Sequence, residues 1–191
     1  MNLNIEILTK NELLPNEDIL WINTPNLSKI FSKGDIFFIP FSVFWWVFAM
    51  IWLFGAISVG GVFGIFFGTP LVIIGLFLIF GRFVVKKVTK RDTVYVITNM
   101  RVLILKMSSR GVKKSISLLE INTVSNESVS WDINGIGTII FGVIPLQHTL
   151  HLNTGLDFLF APYQSGIIAF FDIEDCEHVY GIYKKLKHRD R

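Results

Sequence analysis

The chain has 191 residues, of which 51% are hydrophobic and 17% are charged, and its formal net charge is +3. A soluble domain carries about 25% charged residues, so this composition points away from an ordinary soluble protein. The single cysteine excludes a disulfide framework and a cysteine-built zinc site within the chain. The net charge is −2 in residues 1–35, zero in residues 36–81 and +5 in residues 82–191. The sequence therefore has an acidic start, an uncharged middle and a basic remainder.

The uncharged middle is a run of 46 residues, Ile36 to Gly81, without Asp, Glu, Lys, Arg or His. About 20 helical residues cross a bilayer, so the run predicts two membrane-spanning helices, near 36–58 and 62–82. Adjacent glycines at the end of Ser58–Gly61 mark the turn between them. The preceding residues are polar and lack the apolar region of a cleavable signal, so we expect the run to stay in the mature protein.

Basic residues flank the run on both sides, whereas the short turn carries no charge. These residues are Lys29, Lys33, Arg82, Lys86, Lys87, Lys90 and Arg91. The positive-inside rule predicts a two-pass protein of the cytoplasmic (inner) membrane with both termini in the cytoplasm. Neither span contains an ionisable residue, and two helices are too few to enclose a pathway, which argues against a channel or transporter.

Gly60, Gly64 and Gly68 recur every four residues and predict a helix face that allows close approach of another backbone. One alternative is a dimerisation face, which would make the protein a homo-oligomer. The other is a packing face against the first helix of the same hairpin, and we favour this one.

After residue 92 the pattern changes to short runs rich in β-branched and aromatic residues. Candidate strands lie at 93–98, 101–107, 113–118, 128–133, 137–143, 148–153 and either 156–160 or 167–171. In the fourth of these, strict alternation places Val129, Trp131 and Ile133 together on one face of a half-buried strand. About seven short strands predict a small antiparallel barrel or sandwich. Residues 175–189 have apolar side chains at helical spacing, early acids and late bases, which predicts a closing amphipathic helix.

Five segments follow one another along the chain: PNEDILWINTP (15–25), the two-helix hairpin, YVITNMRVLIL (95–105), GIGTIIFG (135–142) and FDIEDCEHVYGIYKKL (171–186). This order of segments resembles bacterial PH-domain membrane proteins of the DUF304 type. The most specific piece is Tyr-x-Ile-Thr-Asn-x-Arg, beginning at Tyr95. The resemblance implies a PH-like fold, which is a seven-stranded bent barrel covered at one end by a C-terminal helix. It also implies binding or scaffolding rather than catalysis.

We therefore expect a membrane-anchored α+β protein with three parts. Residues 1–35 are an N-terminal cytoplasmic segment, residues 36–82 a transmembrane helical hairpin, and residues 83–191 a PH-like seven-stranded antiparallel barrel with a C-terminal helix. The expected partners are the lipid bilayer and other proteins.

Four basic residues form the candidate lipid or partner surface: Arg101, Arg110, Lys113 and Lys114. We expect a non-catalytic protein-interaction or scaffold module. The alternative is a sensor of anionic lipid headgroups that uses the basic turn at residues 110–114. A third alternative is that this turn is exposed to solvent and has neither role. Basic residues alternate with acidic ones along this part of the chain, which argues against nucleic-acid binding.

Residues of catalytic type do not form a motif. His148 and His151 are three apart on a candidate strand, so their side chains point to opposite faces and do not share a metal ion. The acids around Asp175 fit the start of a helix. Because no nucleophile motif or phosphate-binding loop accompanies them, we expect no enzyme activity, cofactor or metal, and a membrane enzyme or transporter subunit is the less favoured alternative.

Overall fold

The computed structural model describes residues 3–108, 111–118, 121, 124, 126–144, 152–160 and 168–189. The chain forms two compact units. The β-unit comprises Met1–Lys29, Thr89–Pro145 and Tyr163–Arg191, and the hairpin unit comprises Ile30–Val88 and Leu146–Pro162. Each unit has its own packing and is described separately.

The described residues form the following helices and strands. The helices are α1 (Leu3–Lys10), α2 (Asp35–Gly60), α3 (Val62–Leu76), α4 (Arg82–Arg91), α5 (Asp157–Phe160) and α6 (Cys176–Arg189), with a π-helical turn at Phe77–Gly81 between α3 and α4. The strands are β1 (Ile19–Asn23), β2 (Thr93–Thr98), β3 (Val102–Ser108), β4 (Gly111–Leu118), β5 (Glu127–Trp131), β6 (Gly137–Phe141) and β7 (Ile168–Ile173).

The described residues contain two helices that are long and apolar enough to cross a membrane. The first is α2, with 26 residues and a mean hydropathy of 2.1, and the second runs over Val62–Arg91, with 30 residues and a mean hydropathy of 2.5. The predicted pair of apolar helices is confirmed, although the second continues to Arg91. Most of their large apolar side chains are exposed, because only a narrow stripe of small residues packs between them.

A buried ion pair joins the start of α2 to the start of α4. Arg82 Nη1 lies 2.5 Å from Asp35 Oδ1, and both side chains are almost completely buried. Asp35 Oδ2 also accepts hydrogen bonds from the backbone N and the Oγ of Ser32, at 2.6 and 2.8 Å. These contacts fix the two helices together at the open end of the hairpin, since an isolated buried charge is strongly unfavourable.

The β-unit contains two antiparallel sheets. One has the order β1-β2-β3-β4 and the other β5-β6-β7. Six of these strands follow the hairpin in the chain, three in each sheet, and β1 precedes it. The α+β prediction is confirmed, but the closed seven-stranded barrel is not found: in the described part of the chain, no strand pairing joins the two sheets.

Strand predictions differ from the structure at three places. The strand β1 lies inside the acidic segment 1–35, where none was expected. Of the two alternatives near the end, residues 156–160 contain α5, and the strand is β7. The candidate at 148–153 lies mostly outside the described residues, and its last two residues form a turn.

The central strands of the first sheet, β2 and β3, are covered on both faces. The inner face of the sheet joins an aromatic core in which the ring centroids of Tyr95 and Phe170 are 4.5 Å apart, and those of Phe141 and Tyr183 4.9 Å. On the other face Val94, Val96, Leu103 and Leu105 pack against apolar side chains of α1, β1 and the connection between them. Burial of both faces explains why TVYVIT is an almost continuous apolar run.

Candidate functional site

Arg101, predicted as a surface residue, is buried and forms an ion pair with Glu17. We call this pair and its hydrogen-bonded neighbours the latch. The Nε of Arg101 donates a hydrogen bond to Glu17 Oε1 at 2.9 Å, and its Nη2 donates to Glu17 Oε2 at 3.0 Å. Nη2 also donates to the backbone oxygen of Glu12 at 3.0 Å. The guanidinium is occupied by these partners and only 8% of the residue is exposed, so Arg101 does not belong to an exposed ligand surface.

Two neighbours of Arg101 complete this latch. Thr98 Oγ1 donates to Glu17 Oε1 at 2.7 Å and accepts from the backbone N of Arg101 at 3.0 Å. Asn99 Oδ1 accepts from the backbone N of Asp18, and Asn99 N donates to the backbone oxygen of Asp18, both at 3.0 Å. The motif Tyr-x-Ile-Thr-Asn-x-Arg therefore joins the β2–β3 turn to the residues just before β1.

The charge state of Glu17 is set by competing effects. Burial opposes ionisation, but hydrogen bonds from Arg101, the backbone N of Leu14 and Thr98 outweigh it and hold the pKa of Glu17 below its ordinary value of 4.5. Glu17 and Arg101 thus form a hydrogen-bonded ion pair that stabilises the fold rather than binding a ligand.

The other predicted basic residues are described only in part. Arg110 and the side chains of Lys113 and Lys114 lie outside the described residues. The backbone of Lys113 and Lys114 belongs to β4, in which Gly111 pairs with Ser108 of β3. The role of these three basic residues in binding lipid or a partner stays a prediction.

The glycine face lies between the two helices of the hairpin. A Cβ on Gly64 would overlap the backbone of Ala56, and one on Gly68 would lie 2.5 Å from Leu53 Cδ1. Gly60, in contrast, is the last residue of α2 and has nothing within 4 Å of its Cβ position. Gly75 takes the third place, because a Cβ there would lie 3.0 Å from Trp46 Cδ1. Gly64, Gly68 and Gly75 therefore pack within the hairpin, and Gly60 does not.

Among the acidic residues around the start of α6, some form an ion pair or a hydrogen bond and others are exposed. Asp172 is buried, and its Oδ2 lies 2.7 Å from Lys90 Nζ, which also donates to the backbone oxygen of Asn26 at 3.0 Å. Glu174 Oε1 accepts from Asn26 Nδ2 at 2.7 Å. Asp175 and Glu177 are exposed. The described residues contain no metal-binding cluster, and His148 and His151 lie outside them.

Cys176 begins α6 and is buried, with no disulfide partner. Burial raises the pKa of its thiol from 9.0 to about 11. A thiol with this pKa is a poor nucleophile at neutral pH, because the thiolate is the reactive form.

A groove of about 530 Å³ lies beside the end of β5 and the start of α6. We call it the β5–α6 groove, and its lining residues are Trp131, Asp132, Ile133, Gly135, Asp175, Glu177 and His178. Trp131 is 46% exposed and Ile133 is completely exposed. Exposed apolar side chains grouped at a concave surface are typical of interaction sites.

Hydrogen bonds and an ion pair stabilise the β5–β6 turn, which forms the wall of this groove. Asp132 Oδ1 accepts from the backbone N atoms of Asn134 and Ile136, both at 3.0 Å, and Asp132 Oδ2 lies 2.9 Å from Lys29 Nζ. Gly135 has a φ of 74°, which a side chain would disfavour, and its carbonyl accepts from the backbone N of Cys176 at 3.0 Å. The β5–β6 turn is therefore fixed against the start of α6.

The alternation that predicted β5 did not reveal the groove. It grouped Val129, Trp131 and Ile133 on one face, and Val129 does pack against the core. The strand ends at Trp131, however, and the turn that Asp132 begins leaves Ile133 exposed. The usable sequence signal was an apolar residue inside the turn Asp132–Gly135, where polar residues are usual.

Comparisons of the chain with protein-family models, with curated proteins and with solved structures found no match.

Proposed function

We propose that the chain is a non-catalytic membrane protein whose β-unit is a PH-like interaction module, held at the cytoplasmic face of the membrane by the two-helix hairpin. The proposal is supported by seven strands and a C-terminal helix, the number of strands and the final helix that the PH resemblance implies, although β1 precedes the hairpin. Closure into a barrel is not required for such a module to present a surface.

The observation that carries the proposal is the pairing of β1 with β2. These neighbouring strands precede and follow the hairpin in the chain, so the β-unit is interrupted by the hairpin rather than appended to it. It is connected to the helices by residues 24–34 on one side and by Asp92 on the other. Two short connections restrict the module to the membrane surface, where even weak binding to other membrane proteins is strengthened by high local concentration.

The orientation of the proposed module follows from charge. Two crossings return the chain to the side from which it started, and the basic residues lie on the flanks of the hairpin rather than in its turn. By the positive-inside rule the β-unit and both termini are cytoplasmic.

Photo-crosslinking in the native cells tests the proposal. A photoreactive amino acid is placed singly at exposed positions of the β-unit, Leu20, Met100, Ser130 and Ile133, and at the apolar position Phe54 of α2 as the control. We expect protein adducts of discrete mass from a subset of the β-unit positions and lipid adducts from Phe54. If no β-unit position gives a protein adduct, the interaction-module proposal is wrong.

The alternative, an anionic-lipid sensor, is favoured by the register of one hairpin of strands. Lys106 pairs with Lys114 across β3 and β4, and Arg110 immediately precedes β4 in the sequence. Basic residues near an anionic surface contribute about 1 kcal/mol each. This candidate predicts that the β4 backbone exchanges hydrogen more slowly in nanodiscs of anionic lipid than in neutral ones, and that salt removes the difference. The variant Arg110→Ala/Lys113→Ala/Lys114→Ala would show no difference between the two lipids.

A further inference from the structure

The strand β5 has an open edge beside the β5–α6 groove. In the described part of the chain β5 pairs only with β6, which leaves the backbone groups of its other edge without a strand partner. Ser128 and Ser130 on this strand are exposed, and β5 contains no proline and no lysine. Exposed edges are usually protected by such residues or by a bulge. An open edge accepts an extended segment of another chain through backbone hydrogen bonds.

The charge of the groove selects the kind of segment. Glu127, at the start of β5, is neutralised by Lys187, and Asp132 is paired with Lys29. Asp175 and Glu177 remain: both are exposed, and no basic side chain among the described residues pairs with either of them. Two carboxylates beside an exposed tryptophan favour a Lys or Arg side chain, which can pair with the acids and stack its aliphatic part or its charge on the indole ring.

We propose that the β5–α6 groove binds an extended basic segment of a partner protein, which pairs with the edge of β5, covers Trp131 and Ile133, and places a Lys or Arg against Asp175 and Glu177. This inference rests on the interaction-module function and specifies the partner. The groove volume of about 530 Å³ accommodates a few side chains, and the rest of the segment lies along the strand.

The test uses the full chain in nanodiscs of neutral lipid and a displayed library of random nine-residue peptides, with empty nanodiscs for counter-selection. We expect recovered peptides to combine Lys or Arg with β-branched or aromatic residues at alternate positions. Methylation of alternate backbone nitrogens in these peptides should weaken binding at least tenfold, because it removes the hydrogen bonds to the strand edge.

Variants locate the binding site. Asp175→Lys/Glu177→Lys and Trp131→Ser/Ile133→Ser should each weaken peptide binding at least tenfold. The matched controls, Glu12→Lys and Leu20→Ser, change exposed residues elsewhere on the β-unit and should change binding less than twofold. Unchanged protection of Cys176 from a thiol reagent shows that each variant is folded, because this cysteine is buried in the native protein.

Three results would overturn the inference. The first is that no peptide distinguishes the groove variants from the controls. The second is selection of acidic or helical peptides. The third is that the groove variants change only the oligomeric state, which would make a second copy of the chain the occupant. The proposed function is separable from these outcomes, since protein adducts from Leu20 or Met100 without any from Ile133 would preserve the module and move its binding surface.

Discussion

Glu17 and Arg101 are 84 residues apart in the chain, yet their side chains form one buried ion pair. The pair is the reason why a basic residue in a turn does not serve as a ligand contact. Its partners lie before β1 and after β2, so a single interaction links the two segments that the hairpin separates. The motif that carries the PH resemblance is therefore explained by the stability of the β-unit.

Substitution of Arg101 tests this structural role. Arg101→Ala leaves the Glu17 carboxylate buried without its cation, which costs about 3–5 kcal/mol. We expect backbone hydrogens of β2 to exchange about 100-fold faster or more, measured by hydrogen exchange of the full chain in detergent. Met100→Ala, at an exposed neighbouring position, is the control and should have little effect. An equal effect of both substitutions would contradict the latch.

Acid should release the same latch. Because the pKa of Glu17 is lowered in the folded protein, its stabilising effect is complete above the ordinary value of 4.5 and is lost as the pH falls through the lowered pKa. The stability difference between the natural chain and Glu17→Gln should therefore be large at pH 7 and should shrink below about pH 4.5, measured by hydrogen exchange at several pH values. Glu12→Gln, which changes an exposed neighbour, should show no such convergence. A difference that is independent of pH would contradict an ionised Glu17.

Among the elements, the contact between α2 and α3 depends on two glycines that the sequence pattern identified. Gly64 and Gly68 both face α2, and Gly75 extends the contact toward the π-helical turn. Gly60 has the same spacing but falls in α2 itself, because the chain reverses at Gly61. Periodicity alone did not show where the first helix ends.

Gly64, which packs against α2, and Gly60, which has open space at its Cβ position, should respond differently to substitution by valine. Gly64→Val forces a side chain into the backbone of Ala56 and should destabilise the hairpin by about 1–3 kcal/mol. Gly60→Val meets no atom within 4 Å and should change stability much less. The midpoint of unfolding in mixed detergent micelles measures both effects. Similar midpoints for the two variants would show that the glycine face does not determine helix packing.

Local patterns predicted the elements whose neighbours are close in sequence. The strands β2 and β3 are two apolar runs joined by a short turn, and the two long helices are recognised by their high mean hydropathy. The strand β1 was missed because its five residues lie in a polar, acidic segment and its partner strand follows the whole hairpin. Arg101 was misplaced for the same reason, since its partner is distant in the chain. The β5–α6 groove depends on where β5 stops, and element ends are the least predictable feature of a sequence.

At the scale of the whole molecule, the discontinuous β-unit determines which fragments can fold. Residues 83–191 contain six of its strands but lack β1 and α1. Without them Val94, Val96, Leu103 and Leu105 would lose their apolar covering. A fragment chosen from the predicted boundaries alone is therefore a poor probe of binding.

A different deletion should preserve the unit. Replacing residues 30–88 by a short Gly/Ser linker keeps both α1 and β1, and the new ends are close, because Lys90 Nζ donates to the backbone oxygen of Lys29. We expect this chain to give a dispersed amide NMR spectrum in water, whereas residues 83–191 should aggregate or give a collapsed spectrum. If both chains fold equally well, β1 is not required for the sheet.

The position of β1 also affects the order of events during synthesis. It leaves the ribosome first, but β2, with which it pairs, follows only after both apolar helices. In the proposed two-pass topology, a chain that inserted only one of the two helices would leave β1 and β2 on opposite sides of the bilayer, and the first sheet could not form. The first sheet can therefore form only in a chain that has inserted both helices. A chain that has inserted one helix would expose an unpaired strand that cellular proteases can recognise.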